Sequence, residues 1–385
     1  MRISFSKPSF TFRERGYVVE ALASARLAGD GLFSRRCEEH LKTSLGSPAV
    51  LLTPSGTHAL EMASLLVGLE PGDEVIMPSF TFSSTANAVR LVGATPVFVD
   101  IRPDTLNLDE RLVESVIGPR TRAITVMHYG GVGCEMDPIL DIARRHGLRV
   151  IEDAAHGIQA RYRGRWLGTI GDLGCFSFHE TKNLSCGEGG ALVVNDPDLV
   201  ARAEVIREKG TNRKAFFRGE IDRYTWTDIG SSYLLGDLSA ALLLAQLERA
   251  DEITRRRVLI WNAYHRHLED LATSQHIVRP HVPAGCDHNA HIYWIAVRDR
   301  ATRDALLDHL HELEIHATFH YIPLHSSPAG LRLGELRTRD VHTTSMSERL
   351  VRLPLYFDMT DHDVRDVIEG VVGFFEARRD VVGEA

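Results

Sequence analysis

Residues 173–190, LGCFSFHETKNLSCGEGG, decide how this chain reads. A short apolar strand, residues 173–178, sets Phe176 and Phe178 on either side of small polar Ser177. Lys182 follows, and then the turn Gly187-Glu188-Gly189-Gly190, where the backbone reverses at little steric cost. A second strand begins at once, over residues 191–195. A flexible amine is thus held at the end of a hairpin-like unit. Taken alone, it reads as a solvent-facing loop residue, because lysine is rarely buried without a partner.

Upstream, strands and helices alternate. Residues 50–53 form an apolar strand leading into Pro54-Ser55-Gly56-Thr57, and a helix follows with Leu60, Ala63, Leu66 and Val67 at helical spacing. Further strands are expected at 74–77, 95–100, 122–127 and 149–152, with helical segments at 84–92 and 136–146. Strands alternating with helices imply crossover connections and a mostly parallel sheet covered on both faces. Residues 204–228, rich in charge and aromatics, read as an exposed functional loop. Helices at 236–250 and 252–271 follow, and the domain boundary falls between them. Residues 1–250 then form a large α/β domain and 251–385 a smaller one. The smaller carries strands at 292–297, 316–322 and 353–357 and helices at 304–313, 345–351 and 361–378.

Three features fall at the carboxyl ends of strands, where open α/β sheets bind ligands. Ser55-Gly56-Thr57 at a helix start suits a phosphate, through backbone N–H groups and the Thr57 hydroxyl, or is simply a helix cap. In VIEDAAHG, residues 150–157, an apolar strand delivers Asp153 and small residues leave room for something flat; a helix-capping aspartate fits equally. Lys182 is the third. Pyridoxal phosphate (PLP) needs all three: an amine for a Schiff base, a carboxylate to keep its ring nitrogen protonated, and a phosphate cup. Phe82 either covers one face of the ring or is a core aromatic.

Other chemistries find little support. There is no G-x-x-x-x-G-K-[ST] loop, and Met136 stands where a dinucleotide fingerprint begun at Gly131-Val132-Gly133 needs its last glycine. In HELEIH, residues 311–316, the second histidine comes one residue late for a helical zinc motif, so no metal is expected. A net charge of −8 leaves no electrostatic footprint for nucleic acid. No apolar run approaches the roughly 20 residues that span a bilayer, and no signal-peptide pattern opens the chain. Five scattered cysteines without a C-x-x-C pair fit reduced thiols in a cytoplasmic protein.

With these residues assembled, the chain resembles the DegT-type nucleotide-sugar aminotransferases, a branch of the fold-type I PLP enzymes. The likeness runs in order through GDGLFSRRCEEHL, LLTPSGTHALEMASLL, GDEVIMPSFTFSSTANA, VIEDAAHG, GCFSFHETKN, GEGGA, HYIPLH and SERLVRLPL. Through MHYGGVGCEMD, FHETKN, REKGTNR and WTDIGSSY it is most similar to the dTDP-4-amino-4,6-dideoxygalactose transaminases. The resemblance implies that Lys182 forms the Schiff base and later shuttles the proton, and that Asp153 pairs with the ring nitrogen. It sets His156, where many relatives have glutamine, near the ring hydroxyl, and Phe82 on the ring face. Gly56, Thr57 and Ser177 would hold the phosphate. Ser232, in Gly230-Ser231-Ser232-Tyr233, occupies the place of an asparagine that many relatives send from the neighbouring subunit, so a homodimer with shared sites is implied. His320, Tyr321 and His325 either approach the sugar nucleotide or belong to a packed strand.

The implied reaction moves an amino group from an amino acid, glutamate in most relatives, to C4 of dTDP-4-keto-6-deoxyglucose. A C3 aminotransferase and a non-catalytic sugar-nucleotide-binding relative are the alternatives. The family's dehydratases carry histidine in place of the lysine, so Lys182 argues against that activity. Whether the new amine is axial or equatorial is not legible in the residues.

Overall fold

The computed structural model describes residues 1–383. Its centre is a sheet of β1 (Ala49–Thr53), β2 (Glu74–Pro78), β3 (Thr95–Val99), β4 (Thr121–Met127), β5 (Arg149–Asp153), β6 (Leu173–Ser177) and β7 (Gly190–Val194). The spatial order is β1-β7-β6-β5-β4-β2-β3, with Glu335–Leu336 added in parallel on the outer side of β3. β7 alone runs antiparallel to its neighbours, because the turn after Lys182 is too short for a crossover.

Apart from Arg122 and Arg149 near the strand starts, β2, β4 and β5 are buried, and their alternation divides the sheet into two apolar faces. Ile76, Val97, Val99, Ile124 and Val126 pack with Met136, Ile139 and Ala143 of the helix Met136–His146. Val75, Met77, Phe98 and Ala123 lie on the other face with Val89 of the helix Ser83–Leu91. Full burial of each such side chain stabilises the fold by about 1.5–3 kcal/mol. The alternation of strands and helices read from the sequence is therefore what the fold contains, an α/β architecture with a large, mostly parallel sheet. A separate apolar core gathers Ile260, Tyr264, Tyr293, Leu306, Val351 and Phe375, joined by Ile3 from the chain start. Among the described residues no helix is long and apolar enough to cross a membrane.

Several elements differ from the sequence expectation. The opening thirty residues contain the helix Phe12–Ala23, capped by Thr11, whose N–H donates to Glu14 at 2.7 Å. Buried Glu14 also accepts from Gln246, which ties this helix to Asp237–Leu247. Residues 204–228 are not one loop, since Val200–Arg207 and Arg213–Phe217 are helical. The strand expected at 316–322 is reduced to isolated bridges at Ile315 and Thr318. The last helix–strand pair sits earlier than expected, at Thr343–Arg349 and Leu350–Leu353. Pro354 has no N–H to continue the ladder, so the strand stops before it.

Candidate active site

One cleft of about 570 Å³ opens at the carboxyl ends of β1, β5 and β6. It brings together Gly56, Thr57, Phe82, Asp153, His156, Ser177, Lys182, His320 and Tyr321, which lie far apart in the chain. β1 feeds directly into the helix Gly56–Leu66, whose N-cap Ser55 accepts from the His58 N–H at 3.2 Å. The first-turn N–H groups of Gly56 and Thr57 have no acceptor among the described residues, which leaves them free for an anion. A Cβ added at Gly56 would lie 2.9 Å from the Ser177 Cβ, so only glycine lets the helix start approach β6 this closely. The Thr57 hydroxyl sits 2.7 Å from Ser84 Oγ, within the same cup.

Asp153 is the last residue of β5 and almost fully buried. Its carboxylate accepts from Thr85 Oγ1 at 2.7 Å and from the Ala155 N–H at 3.1 Å. Burial raises its pKa, more than these two donors and the Lys182 charge lower it. Asp153 is therefore poised for a further cationic or N–H partner. Lys182 sits in the turn after β6, its N–H donating to the His179 carbonyl at 2.9 Å. Gly187, at φ 85°, lets the chain turn back under it. Among the described residues no hydrogen bond or ion pair engages Lys182 Nζ. Burial, opposed by Asp153 and aided by Arg352, pulls its pKa down to about 8, which leaves about a tenth of the amine neutral at pH 7, far more than an ordinary lysine has.

His156 is buried, and burial with the charges of Lys182 and Arg352 holds its pKa well below the usual value. Its Nδ1 accepts from the Gly130 N–H at 3.3 Å, so the neutral ring carries its proton on Nε2. His291 packs against it with ring centroids 4.1 Å apart. Asn183 Nδ2 donates to the Asn289 carbonyl, so Asn183 Oδ1 is the acceptor for His291 Nδ1–H at 2.8 Å. His320 Nδ1 lies 2.9 Å from the Tyr129 hydroxyl, and its ring packs against Tyr321 at an interplanar angle of 34°. Phe82 is 59% exposed on the rim, which removes the core-aromatic reading.

Two expected site residues stand outside the cleft. His325 is tied off on both ring nitrogens, with Nδ1 2.7 Å from Ser79 Oγ and Nε2 3.2 Å from Asp340. Ser232 is exposed in the segment after the Arg213–Phe217 helix and bridges only to Glu208 through its backbone. Arg352, His291, Thr85 and Phe5 were not anticipated. The signal for Arg352 was legible, since it is a lone charge among Leu350, Val351 and Leu353 in a strand. Thr85 and His291 had no such signal, because their roles depend on partners distant in sequence.

A free pair of helix N–H groups, a buried carboxylate short of donors and an unpaired amine of lowered pKa fit PLP. That fit defines a fold-type I transaminase site. The DegT/DnrJ/EryC1/StrS aminotransferase family model matches residues 9–372, and the chain belongs to that family. It is 36% identical over 371 residues to the GDP-perosamine synthase of Caulobacter vibrioides, covering 95% of this chain and 96% of the relative. The aminotransferase TlmJ from Streptoalloteichus hindustanus superimposes with a TM-score of 0.88 at 33% identity, covering 98% of this chain and 100% of the other. Spr1654 from Streptococcus pneumoniae in its PLP form does so at 0.89 and 26% identity, over 97% and 99%. This protein is thus an enzyme of the PLP-type nucleotide-sugar aminotransferase family.

Proposed function

We propose that this enzyme transfers the amino group of L-glutamate to C4 of dTDP-4-keto-6-deoxy-D-glucose, giving a dTDP-4-amino-4,6-dideoxyhexose. The observation that carries the transamination is the unpaired Lys182 amine, of lowered pKa, in one cleft with Asp153 and the free helix N–H groups. Support for C4 and dTDP is the ordered likeness through MHYGGVGCEMD, FHETKN, REKGTNR and WTDIGSSY.

When bound, PLP supplies an electron sink for the carbanion formed at the reacting carbon. The protein's own groups do the rest. The Gly56 and Thr57 N–H groups and the Thr57 and Ser177 hydroxyls hold the phosphate. Asp153, kept in place by Thr85 and Ala155, keeps the ring nitrogen protonated. His156 presents Nε2–H to the ring hydroxyl. Lys182 Nζ takes the α-proton from the donor and, in the second half, returns a proton to sugar C4. General acid–base catalysis of this kind contributes about 10²–10⁴-fold. Phe82 covers the ring from the rim, and His320 and Tyr321 line the side where the sugar enters.

We further propose a homodimer in which Ser232 reaches the neighbouring copy's phosphate. Supporting this, Ser232 is exposed, and the segment before it exposes the large apolar side chains of Phe217, Tyr224, Trp226 and Ile229, which suit burial against a second copy. Ultracentrifugation is expected to show a dimer; a stable monomer with full activity would remove this arrangement.

The test is spectroscopic and then chemical. The purified protein is expected to take up PLP with a yellow absorption band that glutamate bleaches, and Lys182→Ala to lose turnover. NMR of the product from dTDP-4-keto-6-deoxyglucose is expected to show the amine at C4; an amine at C3, or no product, refutes the assignment. The GDP of the relative's name gives a second reading, a GDP-linked 4-keto-6-deoxy sugar. It wins if kcat/KM for that substrate exceeds the value for the dTDP-linked one.

A further inference from the structure

The segment leading into the strand Tyr293–Ala296 meets the cleft wall through Asn289, which is fully buried. Its amide has one workable orientation. Nδ2 donates to the His156 carbonyl at 2.7 Å and to the Ile158 carbonyl at 2.6 Å, while Oδ1 accepts the His291 N–H at 3.0 Å. The Asn289 backbone carbonyl accepts from Nδ2 of Asn183, the residue next to Lys182, at 2.9 Å. Asn183 Oδ1 in turn accepts from His291 Nδ1, which closes the ring of bonds. Two backbone features serve this arrangement. Ala290 stands at φ 51°, a left-handed conformation that alanine seldom adopts, and Gly131, at φ 80°, comes so near that a Cβ there would overlap Asn289 Oδ1. Neighbouring Gly130 donates to His156 Nδ1, so one loop both makes room for Asn289 and orients the His156 ring. Arg257 fixes the segment from the other side, donating to the Ala290 carbonyl at 3.2 Å and to the His291 carbonyl at 2.9 Å.

We infer that Asn289 is a positioning residue that holds Lys182 and His156 in register with each other, acting through the Asn183 side chain on one and the His156 carbonyl on the other. The inference rests on the transaminase reading of this cleft and extends it to what aligns its groups. In PLP, the carbon that Lys182 must reach and the hydroxyl that His156 faces hang from adjacent ring atoms. Both side chains must therefore meet one small rigid group at once, and a misplacement of about 1 Å costs such a site about 10²-fold. Lys182 and His156 come from separate turns, after β6 and β5. Among the described residues no hydrogen bond joins residues 154–158 to 179–186 directly, and Asn289 bonds to both.

Asn289→Ala removes the side-chain bonds to His156 and His291. In the PLP-loaded enzyme kcat is expected to fall about 30-fold, with KM for glutamate within about 3-fold of wild type. The pH midpoint of the visible absorption band is expected to move up by about one unit, because the ionised ring hydroxyl loses the Nε2–H of a displaced His156. A residue serving stability alone would lower the urea midpoint and leave the band and the kcat of the folded fraction unchanged. Hydrogen exchange of the apo-protein reads the same linkage without cofactor: peptides covering 154–158 and 179–186 are expected to exchange at least about tenfold faster, both together. Asn183→Ala, which leaves the Asn289 side-chain bonds in place, is expected to loosen 179–186 alone and to lower kcat about tenfold. It carries the test if Asn289→Ala does not fold. Unchanged kcat and band midpoint in folded Asn289→Ala overturn the inference, as does loosening of only one of the two segments, or unchanged kcat in Asn183→Ala. If wild type takes up PLP without a visible band, the transaminase reading fails, and the joint loosening of the two segments still decides the linkage.

Discussion

Glu152 and Asp153 are consecutive at the end of β5, and the strand's period sends their side chains to opposite faces. Glu152 is fully buried and saturated, taking N–H groups from Gly168 at 2.8 Å and from Ile170 and Gly171 at 2.6 Å, with His128 Nε2 at 2.9 Å. Asp153 takes only the Thr85 hydroxyl and the Ala155 N–H, and it opens on the cleft. One carboxylate holds a loop against the sheet. The other is left short of donors, with burial raising its pKa, and so retains the capacity to pair with a ligand's charge. The lesson is that burial and charge do not separate a structural carboxylate from a functional one, whereas the number of donors already spent on it does.

The largest expected break in that comparison is Asp153→Asn. It removes the charge that would pair with the ring nitrogen, and kcat is expected to fall by about 10³-fold in steady-state assays. The urea midpoint should stay near wild type, since only two donors are disturbed. Activity within tenfold of wild type would take Asp153 out of the mechanism.

Glu152→Gln is the mirror case. An amide NH₂ would face N–H donors, and breaking the buried network is expected to cost about 3 kcal/mol in urea unfolding. The folded fraction should keep its turnover. A large loss of kcat without a loss of stability would erase the distinction between the two residues.

Thr85→Val sharpens the difference more gently. Asp153 loses its 2.7 Å donor, so its pKa rises further and its ionised form is lost earlier as pH falls. A pH–rate profile is expected to show the acid limb displaced upward, with activity at the low-pH end down about tenfold for each unit of displacement. An unmoved acid limb would show that Thr85 does not tune this carboxylate.

The smallest effect is read in the apo-protein. Lys182 is expected to react with PLP at a rate that rises with pH and levels off above about 8, rather than near the ordinary lysine value of 10.5. Its folded pKa lies below its unfolded one, so the unfolded chain holds more protons between these values. The apo-protein's stability from this group therefore increases with pH across that window. A reconstitution rate still climbing steeply toward pH 10 would contradict the lowered amine.

Much of this was legible because it is local. The alternation of apolar strands with helices at 50–152 needed only periods of two and 3.6, and the helix Met136–His146 lies where its spacing put it. The helix Phe12–Ala23 escaped because Phe12, Val19 and Leu22 are exposed, which blurs an amphipathic pattern, although Thr11 and Glu14 form a capping box. The segment 316–322 looked like a strand by composition, but its neighbours offer only single bridges. His325 looked like a site residue in HYIPLH and is held instead by Ser79 and Asp340, each far away in the chain.

The sequence by itself determined the sheet-and-helix alternation, the family, and the residue types at Ser55–Thr57, Asp153 and Lys182, since these follow from local periodicity and motif order. Only the tertiary structure decided which charges are neutralised. Glu152 is saturated by a loop some fifteen residues on, Lys182 loses protons through burial, and Arg352 faces the cleft without a carboxylate. Desolvation and donor counting depend on which distant segments meet, and no stretch of sequence carries that on its own.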